Sequence, residues 1–314
     1  MMNKRWVAQK LLLAAISLIM LALAPAAWPQ DQGLRILSVE PLLPGMPPAY
    51  LRVETDYPMD LENVAASLAV NGREAASASL GGGFGGGRRF ADYAVAVGEP
   101  GRKTITVTLQ AGKQRLTASK TIEFRSPGGA VFLDYADGEA VWQRPQVQVY
   151  VYFLHHPVLT VNGKTVTFQQ VSDPENPGHA VLTITEGWQP GLNRLECKGT
   201  NNAGQEVVRN LNLFWMKDGK VKQGDTFSLF LGYMGSKSGP FYYLGKTGPA
   251  LAPGPSRWGT AFFLEGGHWL RSREKMLREV KAQAPGHEVI TILVKKHFLG
   301  GVEVDRKLHL QVLP

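Results

Sequence analysis

With 314 residues, 44% of them hydrophobic, and with 35 glycines and 20 prolines, the chain is long enough for two or three cores and is rich in turn formers. Charged residues make up only 19%, which excludes a disordered polyelectrolyte, and the single cysteine, Cys197, excludes an intrachain disulfide. No zinc-ligand spacing and no Gly-x-Ser-x-Gly elbow occurs, so the sequence implies no metal, no cofactor and no recognisable catalytic constellation.

Lys4, Arg5 and Lys10 precede an apolar run from Leu11 to Ala24, and Ala24-Pro25-Ala26 supplies small residues for a signal peptidase. Residues 1–26 therefore read as a secretory signal cleaved after Ala26, the alternative being an uncleaved anchor, because Leu11 to Trp28 reaches the lower length of a spanning helix. Without a cysteine at that point the product is expected to be exported (periplasmic, cell-surface or secreted) and not a lipoprotein. No other stretch is apolar enough to span a bilayer, and nucleic acid is a poor partner for an exported protein.

A first unit, residues 33–125, begins with strands at Leu34 to Val39 and Tyr50 to Thr55 around a proline-broken bend, Pro41 to Pro48. Leu68 to Val70 leads into Asn71-Gly72, a strong two-residue hairpin signal because both positions tolerate positive φ. The glycine run Gly81 to Gly87 formally matches a dinucleotide-binding pattern, but Tyr93 to Val97 after it alternates like a strand instead of opening a helix. A flexible loop is the expectation there. Pro100-Gly101 precedes a strand over Lys103 to Gln110, and Lys120 to Phe124 closes the unit.

Ser126-Pro127-Gly128-Gly129 reads as a linker into a second unit, residues 126–216. Val131 to Tyr135 and Gln146 to Phe153 are half-buried strands. Leu159 to Lys164 repeats the earlier hairpin with Asn162-Gly163, and Pro190-Gly191 precedes Leu192 to Lys198, which a turn at Gly199 to Gly204 pairs with Val207 to Phe214. The Pro-Gly pairs lie 90 residues apart (100 to 190) and then 95 (190 to 285), a spacing that suits one small β-sandwich each. Cys197 takes the inward parity of its strand, as Val107 does in the first unit, and reads as a buried structural thiol.

Thr160-Val161-Asn162-Gly163-Lys164, Pro190-Gly191-Leu192-Asn193 and Asn201-Asn202-Ala203-Gly204 resemble the bacterial immunoglobulin-like modules found beside extracellular glycoside hydrolases and in surface proteins. The resemblance covers the second unit well and the first partly. It implies immunoglobulin-like β-sandwiches there, and with the Pro-Gly spacing an all-β chain of three tandem sandwiches is expected; it implies no catalytic residues, since such modules serve as spacers, adhesins and enzyme accessories.

The third unit, residues 217–314, departs from the pattern. Thr226 to Leu231, Phe241 to Leu244 and Thr260 to Leu264 read as strands, a Gly/Pro-rich loop is expected over Gly245 to Gly259, and Arg271 to Ala284 is read as a short helical turn entering a strand. Residues 31–125 hold 11 basic and 10 acidic residues, residues 126–216 hold 5 and 8, and residues 217–314 hold 15 and 8. Positive charge is thus concentrated in the third unit, which fits an anionic envelope polysaccharide, an envelope surface or a protein partner. Its candidate binding residues are the basic Arg271, Arg273 and Arg278, on one positive face, with Tyr242, Tyr243, Trp258 and Trp269 as a stacking platform. The function expected is a non-enzymatic envelope protein, two spacers and a binding module. The alternative is an envelope enzyme, or the accessory subunit of one acting on polysaccharide, with an acid/base site at Glu265 and His268.

Overall fold

The computed structural model describes residues 33–42, 49–174, 176–234, 240–267, 269–297 and 300–314. The expected signal, most of the Pro41 to Pro48 bend and His268 lie outside them. The described residues are built almost wholly of strands, with one 3-10 turn at Lys217–Gly219.

The first sandwich comprises β1 (Arg35–Pro41), β2 (Tyr50–Pro58), β3 (Ala65–Val70), β4 (Arg73–Glu74), β5 (Ser77–Gly85), β6 (Arg88–Ala96), β7 (Gly101–Ala111) and β8 (Gln114–Phe124). The second comprises β9 (Gly129–Phe132), β10 (Glu139–Val141), β11 (Val147–Tyr152), β12 (Leu154–Val161), β13 (Lys164–Thr165), β14 (Gln169–Ser172), β15 (His179–Ile184), β16 (Gly191–Asn201) and β17 (Glu206–Trp215). The third comprises β18 (Lys220–Lys222), β19 (Thr226–Tyr233), β20 (Phe241–Leu244), β21 (Leu251–Glu265), β22 (Trp269–Ala282), β23 (Gly286–Lys295) and β24 (Glu303–Leu313).

In the first sandwich the sheets run β1-β2-β6-β5 and β4-β3-β7-β8, the A-B-E-D and C′-C-F-G order of an immunoglobulin-like sandwich. The second repeats it as β9-β11-β15-β14 facing β13-β12-β16-β17, and the third as β19-β22-β21 facing β18-β24-β23-β20. The chain is therefore all-β, a tandem of three immunoglobulin-like β-sandwiches.

The repeated turns show why the order recurs. Asn71 and Gly72, like Asn162 and Gly163, have φ between 52° and 79°, the left-handed pair that a two-residue hairpin needs. Each asparagine then bonds to the neighbouring F strand in the same way. The Asn71 carboxamide accepts from the Thr104 amide at 2.8 Å, and that of Asn162 from the Arg194 amide at 3.0 Å. The glycine of every Pro-Gly pair opens an F strand: Gly101, Gly191 and Gly286 begin β7, β16 and β23. Cys197 and Val107 are both fully buried, and burial pushes the Cys197 thiol up to about 12, which removes it from nucleophilic chemistry.

Three expectations are corrected. Gly81 to Gly87 is no loop: Ser77–Gly85 pairs with β6 and only Gly86-Gly87 turns. Glycines give no alternation to read, yet the ladder to β6 supplies their partners. Second, the Gly245 to Gly259 loop ends at Leu251, where β21 starts, because Pro253 and Pro255 sit on an edge strand that needs no donor from them. Third, Arg271 to Ala284 has no helical turn; β22 runs through to Ala282, held by β19 on one side and β21 on the other. Helical and alternating spacing coincide there, and two flanking ladders decide for the strand.

The second and third sandwiches share a sheet. Short β10 lies parallel to β17 on one side and β19 on the other, giving the order β13-β12-β16-β17-β10-β19-β22-β21. Beside it Lys275 of β22 donates to both carboxylate oxygens of Glu139, at 2.8 and 3.0 Å, and to the Asp134 carbonyl at 2.5 Å. The two side chains are only 5% and 6% exposed, and the ammonium also faces the ring of Phe230 at 4.7 Å. The Glu139 carboxylate accepts the Ala136 amide as well. Removing one partner of such a pair leaves a buried charge, which costs about 3–5 kcal/mol. Glu139→Ala should lower the urea unfolding free energy of the full chain by about that much, and Glu139→Ala with Lys275→Met should recover part of the loss. A loss in the double variant equal to the sum of the losses in Glu139→Ala and Lys275→Met alone would show that the charges are uncoupled.

Candidate binding surface

β21 and β22 form a hairpin of 15 and 14 residues, longer than the sandwich it belongs to. Its base pairs with β19 over Lys275 to Lys281, while its outer half crosses the second sandwich and reaches the first. At the crossing Phe262 bridges Leu133 in parallel fashion and its carbonyl accepts the Asp134 amide at 2.6 Å. Gly259 has no side chain because the second sandwich lies against it: a Cβ there would be 2.9 Å from that of Ala136.

At the far end Trp269 packs on Tyr50 of the first sandwich, their ring centroids 5.0 Å apart. Leu270 is buried in the same cluster, with Phe262 and Leu264 packed against it. Below Tyr50 runs a chain of polar atoms: its hydroxyl is 2.6 Å from that of Tyr150, which is 2.5 Å from Nδ1 of His179. Tyr152 and Phe153 complete the aromatic shell around the imidazole. One junction therefore joins all three sandwiches.

The candidates from the sequence are dispersed over this frame. Trp269 serves the junction, and Tyr242 packs against the third core. Tyr243 and Trp258 are exposed, on different sheets. Arg271 forms an ion pair with Glu265 at 2.8 Å, Arg278 donates to the Ser256 hydroxyl at 2.9 Å, and Arg273 lies over Phe263 at 4.2 Å and Tyr233 at 5.5 Å. Lys275, in their midst, is buried and ion-paired with Glu139.

The structure does bring together a group of which sequence reading named only Arg273. Where the hairpin crosses the second sandwich it leaves a crevice of about 520 Å³ lined by Asp134, Gln148, Thr183, Phe263 and Leu264. A smaller hollow of about 140 Å³ continues it past Phe263 to Arg273 and Tyr233, with Asp134 lining both. Asp134 has φ of 67°, and burial raises the pKa of its carboxyl, against the pull of Lys275. An aromatic ring, a guanidinium, a carboxyl and an amide thus line one groove. That set offers a stacking face and both kinds of hydrogen-bonding group. Among the described residues, no cluster of three His, Cys, Asp or Glu side chains is placed to hold a metal ion.

The junction responds to acid. His179 is 4% exposed, and burial lowers its pKa from 6.5 to about 4, with Asp173 opposing. The unfolded chain therefore takes up this proton more readily than the folded one, so stability is full above pH 6.5 and falls as the pH drops toward 4. The drop should be about 3 kcal/mol. Urea midpoints between pH 7 and pH 4.5 should fall steeply in the natural chain and more gently in His179→Phe; parallel slopes would show that His179 is not the group responsible.

No protein-family model matches the chain, and no curated protein matches it by sequence. Solved structures that resemble it include an I-band fragment of titin, at 9% identity, TM-score 0.22, 84% of this chain and 91% of that one. Another is latent dimeric PorU from Porphyromonas gingivalis, at 10% identity and TM-score 0.33, where the match takes in 90% of this chain but 34% of that one. A third is the N-terminal Ig1-2 module of the Drosophila receptor protein tyrosine phosphatase DLAR, at 13% identity and TM-score 0.21, with 59% and 100% covered. The assignment to immunoglobulin-like sandwiches rests on the strand order of the chain's own sheets.

Proposed function

We propose that the chain is an exported, non-enzymatic protein of the cell envelope, and that it binds an anionic envelope polysaccharide in the crevice beneath the β21–β22 hairpin. The observation that carries this reading is the juxtaposition of Phe263, Arg273 and Asp134 at that crossing. A sugar ring stacks on an aromatic face, a guanidinium pairs with a sugar carboxylate, and a carboxyl or carboxamide takes hydroxyl hydrogen bonds. The signal-like residues 1–26 support export. The excess of basic residues in 217–314, 15 against 8, supports attraction of a polyanion. Glu265, one half of the alternative acid/base pair, is engaged by Arg271, and nothing in the described residues favours the enzymatic reading over binding. On this reading the first two sandwiches set the distance and orientation at which the crevice is presented.

Calorimetric titration of the full chain with polygalacturonate and with neutral dextran tests this. Polygalacturonate should bind and dextran should not. The affinity should weaken as salt rises toward 1 M, where the screening length is about 3 Å. Phe263→Ala should abolish binding and Arg273→Gln should weaken it about tenfold, the scale of a charge-assisted contact. Binding unchanged by both substitutions would place any polymer site elsewhere.

A further inference from the structure

We infer that the free edge of β5 in the first sandwich, with the groove beside it, is a docking site for an extended acidic peptide segment that adds as a further strand. β5 is the outermost strand of β1-β2-β6-β5, so one side of its backbone has no ladder partner among the described residues. Natural edges are guarded by charge or proline, and most edges here are: β1 carries Arg35, Glu40 and Pro41, β8 carries Arg115, Lys120 and Glu123, and β21 carries Pro253 and Pro255. Ser77–Gly85 has neither over nine residues, whereas the other unguarded edges, β9, β14 and β20, are four residues each. A bulge between Ser79 and Gly81 bends the strand, and beyond it Gly81 to Gly85 offers an open row of amides and carbonyls with Phe84 as its one side chain.

Among the described residues, the interior beside this edge is unfilled. Cross-strand partners share a face, so pairing with buried Val95, Tyr93 and Ala91 puts Ser77, Ser79 and Gly82 on the inner side, and Phe84, opposite Arg89, follows them. Serine and glycine cannot reach the facing sheet. A groove of about 850 Å³ remains, walled by Tyr57, Val64, Ala66 and Tyr93, and Phe84 stands 80% exposed at its mouth. An extended polypeptide is the occupant that matches both features: its backbone repeats every two residues at about 6.8 Å, as the edge does, and its alternate side chains enter the groove. Charge selects the end. Arg89 donates to the Met59 carbonyl and has no carboxylate partner among the described residues, so a strand added antiparallel to β5 meets it with an acidic residue near its own N-terminus.

The probe is the peptide acetyl-Glu-Val-Thr-Val-Thr-Val-amide, titrated into the full chain with amide hydrogen exchange as the readout. The peptide should bind and protect amides within Gly81 to Gly85, and replacing its Glu by Lys should weaken binding about five- to tenfold, the range for a partly exposed charge pair taken from attraction to repulsion. Arg89→Glu should reverse that preference. Three results would overturn the inference: no binding at about 1 mM peptide, a weak-affinity level for an edge contact; binding without protection at Gly81 to Gly85; or protection of those amides in the absence of peptide together with a dimer in sedimentation, which would make a second copy the occupant.

Discussion

Lys275 holds a positive charge where water does not reach, and it does so only because Glu139 and the Asp134 carbonyl meet it there. This contact fixes where the third sandwich stands on the second. Glu139 belongs to β10, the strand that merges their sheets, and Lys275 lies near the base of the hairpin that leaves its own sandwich. With the base pinned, the outer half is directed across Leu133 and onto Tyr50. A buried ion pair is a poor source of net stability, since burying both charges costs nearly as much as their attraction returns. Its value lies in geometry, because a displaced hairpin would strand both charges.

The same geometry builds the candidate site. Neither the hairpin nor the second sandwich carries a crevice by itself; it exists because Phe263 and Arg273 are held over Asp134, Gln148 and Thr183. The three sandwiches are therefore more than beads on a string. Tyr50, Tyr150 and His179 form a buried polar chain whose members come from two of them, with Trp269 from the third closing it. A chain of polar groups in low dielectric favours the arrangement that keeps both hydroxyls and the His179 Nδ1 paired.

Much of the fold was legible in the sequence, since it rests on local signals. Asn-Gly turns need positive φ at two consecutive positions, Pro-Gly pairs stop one strand and start the next, and alternation marks half-buried strands. The candidate site was not legible, because its members meet across the chain: Phe263 and Arg273 of the hairpin line it with Asp134 of the second sandwich, and the pair that pins the hairpin, Lys275 and Glu139, is 136 residues apart. Within Arg271 to Lys281 the charges describe a solvated cationic segment, and they do not tell that Lys275, alone among its cations, is buried beside Leu277 and Val280. The sequence puts Trp269 on a stacking platform, whereas its partner, Tyr50, lies in another sandwich. Gly81 to Gly85 was misread for the opposite reason, since residues without side chains give no period although the backbone still forms a ladder.

The central claim is that the three sandwiches unfold as one body, because the hairpin and the shared sheet leave none of them a boundary of its own. Differential scanning calorimetry of the full chain at neutral pH tests it most directly. The account predicts a single transition whose calorimetric and van't Hoff enthalpies agree. Two or three resolved transitions, or a calorimetric enthalpy well above the van't Hoff value, would show that the sandwiches melt independently and would contradict it.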